Sequence, residues 1–210
     1  MKFYKLIYRC LGGFFRWLFR IEVAGAENEP ASGGYLACAN HISNWDVIVL
    51  AVCLKRPVQF FAKAELFKIP LLKQLITALG AFPAERGAAD IGALKNTIHI
   101  LQQDGVVGFF PQGTRCPGVH PAKTAVKPGV AMICYRSGCP ALPISIYTKN
   151  YKIRPFKKVY VTIGEPISSD ALGIDKSAKE QYAQASAFIF SKITALNPGA
   201  QTQNEPELGT

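Results

Sequence analysis

Zinc spacing is missing from this sequence. Its three histidines and six cysteines fall into no ligand pattern, and no two cysteines form a C-x-x-C pair. Cys38 and Cys53 lie inside apolar runs, where a free cysteine behaves as a small hydrophobe, so reduced thiols are expected and no metal site is. No uncharged run approaches the roughly 20 residues that span a bilayer. Val47 to Leu54 is too short for that and reads as part of a buried helix. A secretory signal is not expected either, because five basic residues are spread through the first twenty and break any clean apolar stretch. Acidic residues are scarce, 14 against 24 lysines and arginines, which leaves a net charge of +10. Such a chain seeks anions: nucleic acid, anionic lipid or a phosphorylated substrate. There is no internal repeat and no composition shift to mark a second domain.

What is present suits one globular domain. The 210 residues are 49% apolar, enough for a sizeable core. Residues 1–22 are set apart as a basic amphipathic segment. At about 100° per residue, Lys2, Lys5, Arg9, Arg16 and Arg20 share an arc of about 60°, and Phe3, Leu6, Phe14 and Trp17 lie opposite. That is the composition of an interfacial membrane helix, although an ordinary helix packed on the domain would also fit. Gly12 and Gly13 weaken it by about 1 kcal/mol each or mark a bend. Residues 23–198 form the domain proper, and 199–210 are a polar tail expected to be disordered.

Strands are expected at Tyr35 to Ala39, Val58 to Ala62, Val106 to Phe110, Leu142 to Tyr147 and Val159 to Ile163. Helices are expected at 44–54, 71–79, after Asp90 with a stripe of Ile91, Leu94, Ile98 and Leu101, from Pro128 to Gly138, and over 176–196. Strands alternating with helices indicate an α/β domain, a mixed β-sheet flanked by helices.

Two loops carry chemistry. Asn40-His41-Ile42-Ser43-Asn44-Trp45-Asp46 stands where a strand ends and a helix begins. Histidine is suited to accept a proton near neutral pH, and a carboxylate on its other ring nitrogen fixes the tautomer. Five residues of separation work if His41 precedes the helix and Asp46 lies in its first turn. Ser43-x-x-Asp46 also fits a helix-capping pattern, which leaves a purely structural role open. The second loop, Phe110-Pro111-Gln112-Gly113-Thr114-Arg115, follows a buried strand. It offers a guanidinium fork and turn N–H groups to an anion, or is a plain turn with an exposed arginine. Cys116 next door is a conceivable nucleophile or simply a small residue.

Together and in this order, the loops resemble the glycerolipid acyltransferase family. Asn40, His41 and Asp46 match N-H-x-x-x-x-D. Lys63, Glu65, Leu66, Pro70, Gly80 and Arg86 match a second motif. Phe110 to Arg115 match F-P-E-G-T-R with Gln112 in place of the glutamate, and Pro143 matches a proline in a late strand. The likeness covers roughly residues 20 to 165. It implies a glycerol-3-phosphate acyltransferase-like fold and acyl transfer from a thioester of coenzyme A or acyl carrier protein, with no resident cofactor. The acceptor it implies is the free hydroxyl of a lysophospholipid, 1-acylglycerol-3-phosphate first and another lyso-lipid as the alternative. His41 would be the base and Asp46 its orienter. Arg115, with Lys63 and Arg86, would hold the acceptor phosphate, while Gly113 and Thr114 shape the turn. Glutamine at 112 removes a negative charge from that site and is expected to tune Arg115, or to mark a catalytically weakened membrane-binding relative. The expected location is the cytoplasmic face of the cell membrane, peripheral or monotopic, on an anionic surface.

One basic stretch is left over. Lys149, Lys152, Arg154, Lys157 and Lys158 alternate with Tyr147, Tyr151, Phe156 and Tyr160. Such interleaving suits a stacking groove for nucleic acid, a membrane interface or a solvated edge. No nucleic-acid motif accompanies it, so a nucleic-acid partner is not expected.

Overall fold

Hydrophobic runs separated by glycine and proline give seven strands: β1 (Ile21–Ala24), β2 (Tyr35–Ala39), β3 (Val58–Lys63), β4 (Phe82–Ala84), β5 (Val106–Phe109), β6 (Ala141–Tyr147) and β7 (Val159–Ile163). The computed structural model describes residues 12–70, 73, 74, 77, 81–84, 91–175 and 179–197. The strands form one mixed sheet in the order β1-β7-β6-β2-β5-β3-β4. Strand β2 is parallel to both neighbours, with Cys38 beside Phe109 of β5 and Ala39 beside Ile144 of β6. Among the strands described, β6 and β7 pair antiparallel, in a register that sets Tyr147 opposite Tyr160. Strand β2 is buried throughout and β6 as far as Ile146, as expected of a sheet covered on both faces.

Helix α1 (12–18) and helix α2 (Asp46–Cys53) cover one face, over a cluster that includes Phe19, Ala37, Leu50 and Ile144. Helices α3 (Ile91–Gln102), α4 (Gly129–Ser137) and α5 (Lys179–Ala195) accompany a second cluster, including Leu36, Cys38, Val107, Ile133 and Ile189. Leu36 and Cys38 belong to one cluster and Tyr35, Ala37 and Ala39 to the other, as the two-residue period of a strand requires. Among the described residues no helix is long and apolar enough to cross a membrane.

Three sequence expectations can be set beside the fold. The buried face of α3 is Ala93, Thr97 and Leu101, and Ile91 is 62% exposed. Thr97 tolerates burial because its hydroxyl donates to Ala93 O at 2.7 Å, on its own helix. Strand β1 was not expected, and the boundary at residue 22 falls inside it; β1 is held by parallel pairing with β7. Finally, the described part of the amphipathic segment is docked on the domain. Phe19 is fully buried, and Arg16 donates twice to Val52 O, at 3.0 and 2.8 Å, at the end of α2. The rest of that segment (1–11), most of the helix expected at 71–79, Asp90 and the tail lie outside the described residues.

Candidate active site

Strands β2 and β5 are adjacent and parallel, so the two chemistry-bearing loops leave the sheet side by side at its carboxyl edge. That edge is where open α/β sheets place their ligands. Asn40 ends β2 by imitating backbone: its side-chain amide donates to Ile146 O at 2.8 Å and accepts from Ile146 N at 2.7 Å. This extends the β2–β6 ladder by one side chain and fixes where His41 begins.

His41 Nδ1 lies 2.7 Å from Asp46 Oδ2, with the histidine side chain 17% exposed and the carboxylate fully buried. Asp46 is the first residue of α2, and the same Oδ2 also accepts from the N–H groups of Ile42 at 2.6 Å and Ser43 at 2.8 Å. The capping pattern therefore runs backwards: Asp46 holds the loop before it, while Ser43 Oγ accepts only from Trp45 N at 3.3 Å. Burial pushes the Asp46 carboxyl up from its ordinary value, opposed by the bonds from His41, Ser43 and Ile42. With the carboxylate on Nδ1–H, the favoured tautomer leaves Nε2 with a free lone pair.

The imidazole is also held by stacking. Its centroid is 4.1 Å from that of Phe110, at 14° between planes, and Phe60 stacks behind Phe110 at 6.5 Å. Gly108 makes room for this column, since a Cβ there would stand 2.2 Å from the Phe60 ring. Both backbone groups of His41 are tied to the second loop. Its N–H donates to Gln112 Oε1 at 2.6 Å, and its carbonyl accepts from Cys116 N at 2.8 Å.

Gln112 is thus not where the sequence reading placed it. It is buried, facing His41, and its Nε2 donates to Thr124 Oγ1 at 2.8 Å. Arg115 is not among the hydrogen-bond partners of this amide, so a direct bond does not carry the expected tuning of the arginine. Arg115 instead donates to Asn44 Oδ1 at 2.5 Å. Gly113 has the left-handed φ of +65° that the turn needs, with its N–H donating to Phe110 O at 2.9 Å. Gly113, Thr114 and Arg115 are exposed. Beside the loops opens a cleft of about 480 Å³ whose walls include Ser43, Thr114, Arg115, Lys152 and Arg154. Lys152 and Arg154 belong to the basic stretch that the sequence left open as a stacking groove, a membrane interface or a solvated edge. They are over thirty positions away in sequence, and only the loop between β6 and β7 brings them here. The side chain of Lys63, which ends β3, and the whole of Arg86 lie outside the described residues.

The buried thiols are poor nucleophiles. Burial drives Cys38 well above the ordinary thiol value and pushes Cys53 and Cys134 up to about 12. Among the described residues no group of three histidine, cysteine or acidic side chains gathers as a metal site.

A buried aspartate bonded to a histidine, near a cleft walled by Arg115, Lys152 and Arg154, is an arrangement able to accept a proton and to hold an anion. The family model described as acyltransferase matches residues 20–147, and the chain belongs to this acyltransferase family. It is 31% identical over 151 residues to the 1-acyl-sn-glycerol-3-phosphate acyltransferase of Bacillus subtilis, covering 70% of this chain and 73% of that one. The enzyme of the same name from Escherichia coli is 24% identical over 187 residues, covering 85% of this chain and 74% of the relative. The crystal structure of the 1-acyl-sn-glycerophosphate (LPA) acyltransferase PlsC from Thermotoga maritima superposes with a TM-score of 0.71 at 25% identity, over 97% of this chain and 83% of that one.

Proposed function

We propose that the protein transfers a fatty acyl group from an acyl thioester to the free hydroxyl of 1-acyl-sn-glycerol-3-phosphate, giving phosphatidate for phospholipid synthesis. The observation that carries this reading is the His41–Asp46 pair at 2.7 Å beside a cleft walled by Arg115. In the proposed step, His41 Nε2 takes the proton of the acceptor hydroxyl as that oxygen attacks the thioester carbonyl carbon. The C–S bond then breaks, and the departing thiolate takes the proton back from the imidazolium. Asp46 keeps Nδ1–H in place throughout, and no covalent acyl-enzyme forms. Arg115 anchors the acceptor phosphate, with Lys63 and Arg86 assigned the same task by family resemblance. General-base assistance of this kind is worth about 10²–10⁴ in rate.

The working place in this reading is an anionic membrane surface, on its cytoplasmic face, with residues 1–22 as the lipid-contacting segment and 23–198 as the catalytic domain. Three exposed aromatics support it. Phe14, Trp17 and Phe156 are 49%, 63% and 58% exposed, and the Trp17 and Phe156 rings meet at 5.6 Å, with Lys157 and Lys158 next to Phe156 in sequence. Exposed aromatic rings in a basic stretch suit the bilayer interface. Co-sedimentation of Trp17→Ala/Phe156→Ala with anionic vesicles should fall well below that of the native chain, and unchanged binding would move the contact elsewhere.

The activity itself is tested by thiol release from acyl-coenzyme A and acyl carrier protein thioesters over a panel of lyso-lipids. Lysophosphatidate is expected to be the best acceptor. Preference for lysophosphatidylcholine, whose phosphate carries a bulky choline, would overturn the assignment of the acceptor.

A further inference from the structure

Behind the loop that supplies Lys152 and Arg154 lies a larger groove, of about 1080 Å³, which the chemistry above does not use. Its charged lining is wholly cationic: Lys149, Lys152, Arg154, Lys157 and Lys158. Among the described residues the carboxylate paired with one of them is that of Glu22, 2.5 Å from Lys158. Three tyrosines supply flat apolar surface to the same groove. Tyr147 and Tyr160 face each other across the antiparallel β6–β7 pair, with centroids 6.0 Å apart, and Tyr151 meets Tyr147 edge-on at 5.6 Å. The sheet register therefore builds this aromatic floor in advance.

The loop over the floor is tightly made. Tyr151 has φ +49° and Phe156 φ +62°, values that bulky residues adopt only when their surroundings impose them. Tyr151 N donates to Thr148 O at 3.0 Å, Lys152 N to Thr148 Oγ1 at 2.9 Å, and Gly118 N to Tyr151 O at 2.9 Å. Gly118 also lets Lys152 pass close by, since a Cβ there would stand 3.1 Å from Lys152 Cε. Lys152 and Arg154 wall both this groove and the cleft lined by Ile42, Ser43 and Arg115, so the two spaces share a boundary.

We propose that this groove binds the nucleotide end of a coenzyme A thioester, its phosphates on the lysines and its adenine on the tyrosines, and so delivers the acyl group past Lys152 and Arg154 to His41. The inference rests on the proposed acyl transfer and names its donor. Concavity and aromatic faces select a nucleotide over an acidic carrier protein: stacking on rings and charge-assisted bonds to phosphate are how such ligands are held. The long, flexible pantetheine arm leads from the groove into the neighbouring cleft.

The probe is adenosine 3′,5′-bisphosphate, titrated by calorimetry into the full chain without acceptor. It should bind, more weakly as salt rises. Lys149→Ala/Lys157→Ala should weaken it by about tenfold or more, while Arg115→Ala should leave it within about twofold. In turnover assays the double variant should raise the KM for acyl-coenzyme A by a similar factor with little change in acceptor KM. Absence of bisphosphate binding to the native chain would overturn the proposal. So would a double variant that loses only acyl carrier protein-dependent turnover, or only vesicle binding; the groove would then take an acidic protein or lipid headgroups. Bisphosphate binding in a chain inert toward every lyso-lipid would leave the groove standing and sink the proposed function instead.

Discussion

Gln112 holds His41 by its backbone: Gln112 Oε1 accepts the His41 N–H at 2.6 Å. The amide serves both sides, since its Nε2 donates to Thr124 Oγ1, whose own proton goes to Pro121 O at 2.6 Å. A glutamate could keep the first bond. It could not donate to Thr124, whose hydroxyl would have to turn toward the carboxylate and abandon Pro121.

Gln112→Ala should therefore act on the base and not on the anion site. An orphaned buried N–H costs about 1–3 kcal/mol, and here the cost falls on the placement of the imidazole. We expect kcat to drop about tenfold or more with the acceptor KM nearly unchanged. Gln112→Glu should lower kcat less, again without moving the acceptor KM. Steady-state kinetics with acceptor varied separates this from the alternative, since a change confined to acceptor KM would return Gln112 to the phosphate site.

Arg115 should behave in the opposite way. Its guanidinium reaches the cleft and is steadied by Asn44. A charge-assisted hydrogen bond is worth roughly 1.5–3 kcal/mol, so Arg115→Ala should raise the acceptor KM about tenfold or more and leave the donor KM nearly alone. Asn44→Ala should give a smaller shift in the same direction. Equal effects on both substrates would mean that Arg115 orders the loop and does not bind the phosphate.

Asp46 should make activity and stability move in opposite directions with pH. Burial raises its carboxyl in the folded protein, so the proton is bound more tightly there than in the unfolded chain. Its contribution to stability is thus fully present below the unfolded carboxyl value and is lost as pH rises through the raised folded value. Turnover instead needs the ionised form that accepts Nδ1–H. In urea titrations from acid to neutral pH, the native chain should lose stability relative to Asp46→Asn, while its activity climbs. A native chain that gains stability relative to Asp46→Asn over that range would show that the hydrogen bonds outweigh burial.

Much of this site was legible because its residues announce their chemistry. A histidine after an apolar strand, with an aspartate in the next helical turn, suggests a base and its orienter, and the two side chains do meet. Tyr35–Ala39 and Val159–Ile163 were readable as strands for the same local reason, apolar β-formers bounded by turns. What local pattern could not give was direction. Gln112 sits among turn residues, where nothing in the sequence says whether an amide points at the arginine three places on or inward at a backbone seventy positions away. Ile91 outranks Ala93 and Thr97 in hydrophobicity, yet packing chose the smaller pair because Thr97 satisfies itself. Lys152 and Arg154 read as part of a groove, a membrane interface or a solvated edge, and the tertiary path of their loop gives them two cavities to divide.

The account turns on His41 as the base that removes the acceptor proton. The most direct measurement is the turnover of His41→Ala with lysophosphatidate and acyl-coenzyme A, beside its thermal unfolding and its adenosine 3′,5′-bisphosphate affinity. The account predicts loss of about 10²–10⁴ in kcat, with folding and nucleotide affinity retained. A folded His41→Ala enzyme turning over at nearly the native rate would contradict it.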